Sequence, residues 1–578
     1  MEVLKYDVVI LGSGLAGMRA ALQAAKASNE KLRIALVSKL HAMRSHSVSA
    51  EGGISGVLYP GEHGDSAKLH AYDTVKGSDY LSDQDAVELL VKSAPEEIKL
   101  FDRLGVPWNR SKAGKVLLRA FGGMTVNRTA FAADKTGFFM LSALYDTLLS
   151  LKNVDIFHEH IATKLVLGKD RTKGITAIDM ATGEMRAFAS NAVIIATGGF
   201  ARAYRFTTTA YSSTGDGIAL AYEAGLPLKN MEFVQFHPTA LVPSGILITE
   251  AARGEGAYLL NSKGKRFMAD YAKSKMELAP RDIVSRAIFT EFEKGNGIRD
   301  KRYGSYEFVQ LDLRHLGEEK IDDRLPMIKE IAIKMIGIDP AKEPLPVRPA
   351  THFTMGGIHT DIDGNVMKGK SPAGGLWAAG ECGCVSVHGA NRLGSNSLSQ
   401  CVIWGRITGN EAARFAERYT VRAGPLKEVF EREERRIARL LDRKSGEDPY
   451  AIRDELWDVM DKYAGVYRDS AALRQGIRAV QKLKRRFANV VVNDKSKVYN
   501  TNLRDALEIG HMLELSEAVA VGALNRKETR GAHARKDYPK RDDANWLKHT
   551  IATRSRKGVK LGYIPVKITK WQPEERKY

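Results

Sequence analysis

The chain has 578 residues, 44% of them hydrophobic, which allows about three or four domains with sizeable cores. Its formal charge of +19 is gathered toward one end, where Arg526–Tyr578 holds 16 Lys/Arg against 6 Asp/Glu; such a surface suits nucleic acid, anionic lipid or an acidic protein without choosing among them. The longest apolar runs, such as Tyr6–Leu11 and Ala192–Thr197, are strand-sized against the roughly 20 residues a membrane-spanning helix needs, so any membrane attachment is expected to be peripheral.

Met1–Lys5 has none of the marks of a secretory leader and reads as a mature, cytoplasmic start. Lys5–Leu11 reads as a buried strand, Gly12–Gly17 as a tight turn, Met18–Lys26 as an alanine-rich helix and Leu32–Val37 as a second strand. In this βαβ unit Gly12 lets the turn close, Gly14 lets the backbone approach a pyrophosphate and Gly17 lets helix pack on strand, with the helix N-terminus facing the phosphates. The chain reads Val37-Ser38-Lys39 where an acidic ribose ligand usually stands, which argues against an ordinary NAD site. A small-residue loop follows, Arg44-Ser45-His46-Ser47-Val48-Ser49-Ala50-Glu51-Gly52-Gly53.

The strand Ala192–Ala196 with Thr197-Gly198-Gly199, and later Gly375–Gly380 with Glu381, read as returns to the first domain. Between them, residues 241–350 have scattered charges and short helices, as an inserted domain would. Asp361-Ile362-Asp363-Gly364-Asn365 opens like a calcium loop, but Pro372 stands at the twelfth position, so a turn is the better reading. Cys382-Gly-Cys384 has neither zinc spacing nor a second Cys/His pair, and the thiols read as buried and reduced, with no metal site. After Gly424-Pro425, apolar residues recur at helical spacing through Leu426–Leu441, Tyr450–Tyr467, Ala471–Val490 and Asn500–Ala523.

Several ordered segments carry a family resemblance. They include the His46 loop, Phe121-Gly122-Gly123, Ala132–Gly137, Thr214-Gly215-Asp216-Gly217, Gln235-Phe236-His237-Pro238-Thr239 and Thr249–Gly256. Pro280-Arg281-Asp282, His352–Gly357, His388–Leu398 and Arg530–Arg535 complete the set. Together they resemble the flavoprotein subunits of succinate dehydrogenase and fumarate reductase nearly end to end.

The resemblance implies an α/β fold: a Rossmann-like FAD-binding domain in two parts (1–240 and 351–424), an α+β capping domain (241–350), a helical domain (425–545) and a basic C-terminal segment (546–578). It implies FAD bonded covalently to His46. Gly12, Ser13, Gly14, Ala16 and Gly17 would cradle the pyrophosphate and Ser38 and Lys39 the adenosine end, with Ser47, Gly52, Gly53, Asp216, Glu381, Ser397 and Leu398 as further FAD contacts. Succinate and fumarate are dianions, so a dry site must supply cations and donors; by resemblance His352 and Arg392 hold one carboxylate, His237 and Thr249 the other, and Phe121 lines the cavity. Arg281 would move the proton, with Glu250 and Arg253 as its relay.

Glutamate at the position of Glu51 is common among members that reduce fumarate. Three cysteines cannot hold iron–sulfur clusters, so the expected partners are an iron–sulfur subunit and, through it, a membrane anchor and quinone. L-aspartate oxidase shares most of these motifs but lacks the loop histidine. A basic nucleic-acid-binding protein would leave the clustered His and Arg without purpose.

Overall fold

The computed structural model describes residues 2–421 and 424–577. Met1, Arg422, Ala423 and Tyr578 lie outside it, and with them the first residue of the expected start, the stretch before the expected 424/425 boundary and the last residue of the basic segment.

A six-stranded sheet organises the first domain in the order Asn365–Lys368, Ser371–Ala378, Ala192–Ile195, Val8–Leu11, Ile34–Val37, Val154–Phe157. All but the outermost Asn365–Lys368 pair in parallel, and the central runs VVIL, IALV and AVII are wholly buried because both faces are covered. On one face lie the helices Leu15–Ala27 and Asn396–Ala416. Only glycine allows their approach, since a Cβ on Gly405 would sit 2.5 Å from the Ala16 carbonyl oxygen and one on Gly409 2.4 Å from that of Ala20. The other face shares its core with the helices Asp216–Glu223, Pro449–Tyr463 and Thr501–Asn525.

The expected first strand is in fact two. Glu2–Lys5 pairs with Met185–Ala189 in a separate sheet, and Val8–Leu11 enters the central one. The chain changes sheet at Tyr6-Asp7, where the Asp7 carboxylate accepts the Arg33 amide at 2.8 Å and the Tyr6 ring packs edge-on against Phe157.

Above the strand ends sits an antiparallel sheet of Val234–Leu241, Leu345–Thr354, Val309–Asp312 and Tyr258–Leu260, with the helix Arg281–Glu293 against it and a core of its own. Strands Val234–Leu241 and Leu345–Thr354 run through residues 240 and 350 without a break. Four helices follow, Lys427–Asp442, Pro449–Tyr463, Ser470–Phe487 and Thr501–Asn525. The second stops short of Tyr467, which instead pairs as a strand with Ala534.

The backbone of the basic segment is built into the fold, while most of its lysines and arginines stay exposed. Lys548–Ser555 and Gly558–Pro565 form a hairpin that adds to Leu228–Lys229, and the amides of Thr569, Lys570 and Trp571 all donate to the Gln84 side chain. Arg526 and Arg530 are fully buried on Glu232 and Glu528. In the basic stretch Gln481–Arg486, Lys484 pairs with Glu514 and Glu517 and Arg486 with Glu447 and Glu455, while Lys482 and Arg485 are exposed. Among the described residues no helix is long and apolar enough to cross a membrane, and no three His, Cys, Asp or Glu side chains are grouped so as to hold a metal ion. At Asp361 the carboxylate accepts the amides of Asp363 and Asn365 and Gly364 takes φ +78°, a tight turn.

Candidate active site

A cavity of about 580 Å³ lies between the carboxyl ends of the parallel strands and the upper sheet. Its inner end is a glycine cradle. Gly12 adopts φ +101°, and a Cβ there would sit 2.3 Å from the Ala196 carbonyl oxygen. Gly14, Leu15 and Ala16 open the helix Leu15–Ala27, whose first turn carries no acidic residue, so its N-terminus favours an anion. Ser13 bonds Ser38 at 2.7 Å, and Ser47 accepts the Leu15 amide at 3.1 Å. Gly17 does not line the cavity. A Cβ there would meet the Gly12 carbonyl oxygen at 1.8 Å, so it serves the turn and not the ligand.

At the far side of this end, the Lys39 ammonium lies 2.6 Å from Asp216 and 2.5 Å from Glu508, and Asp216 also meets His511 at 3.0 Å. Glu508 and His511, both on the helix Thr501–Asn525, were not anticipated. Some 469 residues separate Lys39 from Glu508, and no local pattern marks the pair.

The middle of the cavity holds the His46 loop. His46–Ser49 forms a short 3₁₀ turn against the helix Thr136–Leu149, where the Gly137 amide donates to the Ala50 carbonyl at 2.7 Å. The His46 Nδ1 accepts the Ala210 amide at 3.3 Å, and burial pushes the imidazole down to about 4, so it is neutral. Gly52 leaves room for Phe121, whose ring would lie 2.9 Å from a Cβ there, and Gly53 takes φ +121°. Burial, then the Asp134 charge, raises Glu51 well above the carboxylate range. Glu381 accepts the Thr354 amide at 2.9 Å and is pushed by burial up to about 7. Ser397 and Leu398 lie in the first turn of Asn396–Ala416.

The outer end gathers the expected cationic set. His237 and His352 stand on neighbouring strands with ring centroids 5.0 Å apart. Burial, then the Arg281 charge, holds both imidazoles well below their ordinary value and hence neutral. Thr208, an unexpected contributor, bonds His352 Nδ1 at 2.7 Å, while His237 Nε2 is buried with no partner. Thr249 caps Glu250–Gly254 and lines the same wall.

Arg392 donates to Ser397 at 3.0 Å and lies 4.6 Å from the Phe353 ring centre; its Nε has no partner. Arg281 donates from Nε to Glu250 at 2.8 Å and from Nη1 to Gln235 at 3.1 Å. Gln235 stood in a recognised motif without an assigned role, and here its amide also holds the Arg392 carbonyl at 2.8 Å. Arg253 lies 3.8 Å from Glu250, behind it and outside the cavity lining. Although burial opposes its charge, Arg281 and Arg253 keep Glu250 below the carboxylate range.

Three guanidinium groups thus face one ionised carboxylate in a dry wall, with donors at Arg392 Nε and His237 Nε2 left open. That excess suits a small dianion. The Cβ-intolerant cradle, the open helix N-terminus and the neutral His46 beside it fit an extended dinucleotide carrying a flavin.

Comparison with known proteins agrees. A family model described as an FAD binding domain matches residues 7–398, and one described as fumarate reductase flavoprotein C-term matches residues 453–578. The fumarate reductase flavoprotein subunit of Mycobacterium tuberculosis H37Rv is 45% identical over 590 residues, 99% of each chain. The succinate dehydrogenase flavoprotein subunit of Rickettsia bellii is 43% identical over 98% of this chain and 96% of that one. Among solved structures, the flavoprotein of an E. coli quinol fumarate reductase superposes with a TM-score of 0.95 at 42% identity, covering 100% of this chain and 99% of the other.

Proposed function

The chain belongs to the succinate dehydrogenase and fumarate reductase flavoprotein family, and from that premise we propose that it interconverts fumarate and succinate on an FAD bonded to His46. The convergence of His237, His352, Arg392 and Arg281 at the outer end of the flavin cavity carries this reading. A bound flavin supplies the two-electron hydride donor or acceptor. His237 and Thr249 hold one substrate carboxylate, His352 and Arg392 the other, and their rigid strands fix the carbon skeleton in one pose. Phe121 closes the wall against water.

In the reducing direction Arg281 gives a proton to the carbon beside the one that receives hydride. Guanidinium is a poor acid in water, but a carbanion-like centre is a stronger base than neutral arginine, and the same cation stabilises the charge that develops. Nε and Nη1 of Arg281 are already engaged, which leaves Nη2 for the substrate, and Glu250 with Arg253 behind it returns the proton. Glu51 tilts the reading toward fumarate reduction.

Attachment at His46 is supported by its neutral imidazole: Nδ1 accepts the Ala210 amide, so Nε2 carries the ring N–H, and that proton leaves as Nε2 bonds to the flavin. Electrons pass to an iron–sulfur subunit and on to quinone in a membrane anchor when succinate is oxidised, and come back along the same route when fumarate is reduced; the chain sits peripherally on the cytoplasmic face. Anaerobic assays with fumarate plus reduced viologen, and succinate plus an oxidising dye, test the activity; turnover of neither refutes it. Flavin fluorescence that stays with the denatured polypeptide supports the covalent bond, and free release sinks it. Isolation as a single chain that reduces quinone unaided would overturn the partner assignment.

A further inference from the structure

The strand Ile34–Val37 ends without the carboxylate that commonly binds a ribose, and the cluster at Lys39 shows what replaces it. Lys39 Nζ has four acceptors: Asp216 at 2.6 Å, Glu508 at 2.5 Å, and Thr214 Oγ1 and the Ser212 carbonyl at 2.9 Å each. Asp216 opens the helix Asp216–Glu223, and its Oδ1 takes Thr214 at 2.8 Å and His511 at 3.0 Å.

Lys39 and Asp216 line the cavity, whereas Glu508 and His511 stand behind them, one turn apart on Thr501–Asn525. That helix lies outside the matched FAD-binding segment 7–398. Burial raises Glu508, and although burial also opposes the charge on Asp216, Lys39 and His511 hold Asp216 ionised.

Resting on the FAD reading above, we propose that Glu508 and His511 are positioning residues for the adenosine end of the cofactor: they fix Lys39 and Asp216 from behind, so that the grip on the nucleotide depends on the docked C-terminal helical layer. The physical case is one of acceptor geometry. A carboxylate has about four acceptor directions. Three at Asp216 are filled by Thr214, His511 and Lys39, which locks the group and leaves a defined direction for a ligand hydroxyl or amine. Without Glu508, Lys39 has only Asp216 to neutralise it and turns fully onto that carboxylate, blocking the open direction.

The test uses the full-length protein in a His46→Ser background, where the flavin is removable. The flavin-free protein is titrated with FAD, with ADP as an adenosine-end probe, and with FMN, which lacks that end. Glu508→Leu and His511→Leu should each weaken FAD and ADP about tenfold, the loss of one charge-assisted bond, and leave FMN unchanged. The near-isosteric Glu508→Gln should give a smaller loss in the same two ligands, and Glu508→Asp should partly restore them. Unchanged FAD and ADP affinity in a folded Glu508→Gln protein overturns the proposal, and so does an equal loss for all three ligands. Parent protein that binds neither FAD nor ADP would instead refute the cofactor reading on which it rests.

Discussion

Two of the clusters of buried arginine differ in what their N–H groups are given. Around Glu528, Arg526 and Arg530 are fully buried, and each reaches carboxylates as well as main-chain oxygens. Around the outer cavity, Arg392 has one hydroxyl partner, and its Nε has none. The first cluster is neutralised by its own fold; the second is a charge waiting for one. Net charge alone treats the two alike, and the +19 excess therefore said little about which arginines meet a ligand.

Substitution at the open cluster should show the largest effect. Arg281→Lys and Arg281→Gln are expected to lower turnover by at least about three orders of magnitude, because proton delivery and transition-state charge stabilisation are lost together. Dicarboxylate binding, followed by the flavin absorbance change, should survive in weakened form on His237, Thr249, His352 and Arg392. Near-normal turnover in either variant would move the proton-transfer role elsewhere.

The closed cluster should answer in stability instead. Arg530→Met leaves Glu528 buried with one guanidinium fewer, and removing one partner of a buried pair costs about 3–5 kcal/mol. Urea unfolding should register that loss, while the folded fraction keeps its parent KM for fumarate. A changed KM with unchanged stability would erase the distinction between the clusters.

Between these extremes lies the response to acid. Burial lowers His46 to about 4 and His70, His359 and His388 to about 3, while it raises Glu381 to about 7 and Asp461 to about 6. The signs oppose. Each such histidine is neutral when folded and protonated when unfolded below about pH 6.5, so unfolding takes up a proton; each raised carboxyl releases one. The four histidines outnumber the two carboxyls, and His158, His237, His352, His533 and His549 shift the same way against Glu51, Asp134, Asp363 and Glu508. Stability should fall from pH 7 to pH 5, by about 1.4 kcal/mol per pH unit for each unbalanced proton. Stability that rises over that interval would reverse the assignment of neutral histidines.

What could be read beforehand follows the range of the interactions. The Gly12–Gly17 turn and the His46 loop are short contiguous patterns and legible as such, although the contacts that force Gly12, Gly52 and Gly53 come from Ala196, Phe121 and Ala130. The site histidines and arginines were legible because their motifs are contiguous. The Lys39–Glu508 pair, the Thr208 bond to His352 and the Asp134 carboxylate that accepts the Met327 amide at 2.8 Å join segments far apart in the chain. Only the folded sheet brings them together. The C-terminal hairpin is obscured for another reason: seven lysines and arginines among residues 548–570 mask the alternation of strand residues on either side of the Arg556-Lys557 turn.

The smallest expected effect belongs to the charge that remains on the outside. Arg556, Lys557 and Lys560 are exposed at the tip of that hairpin and have no ion pair among the described residues, whereas the neighbouring Arg554 reaches Glu514 at 3.1 Å. With no partner to lose, Arg556→Ser, Lys557→Ser and Lys560→Ser together should change stability by less than about 0.5 kcal/mol. They should also leave dye-linked turnover unaltered, since none lines the cavity. Their effect on association with partner subunits then stands free of any folding effect. If these three cations steer docking to an acidic surface, the triple variant should lose the salt dependence of assembly, because exposed charges interact over roughly 10 Å at 0.1 M salt. If assembly keeps its salt dependence in the variant, the cations that dock lie elsewhere, and the tip is only solvated.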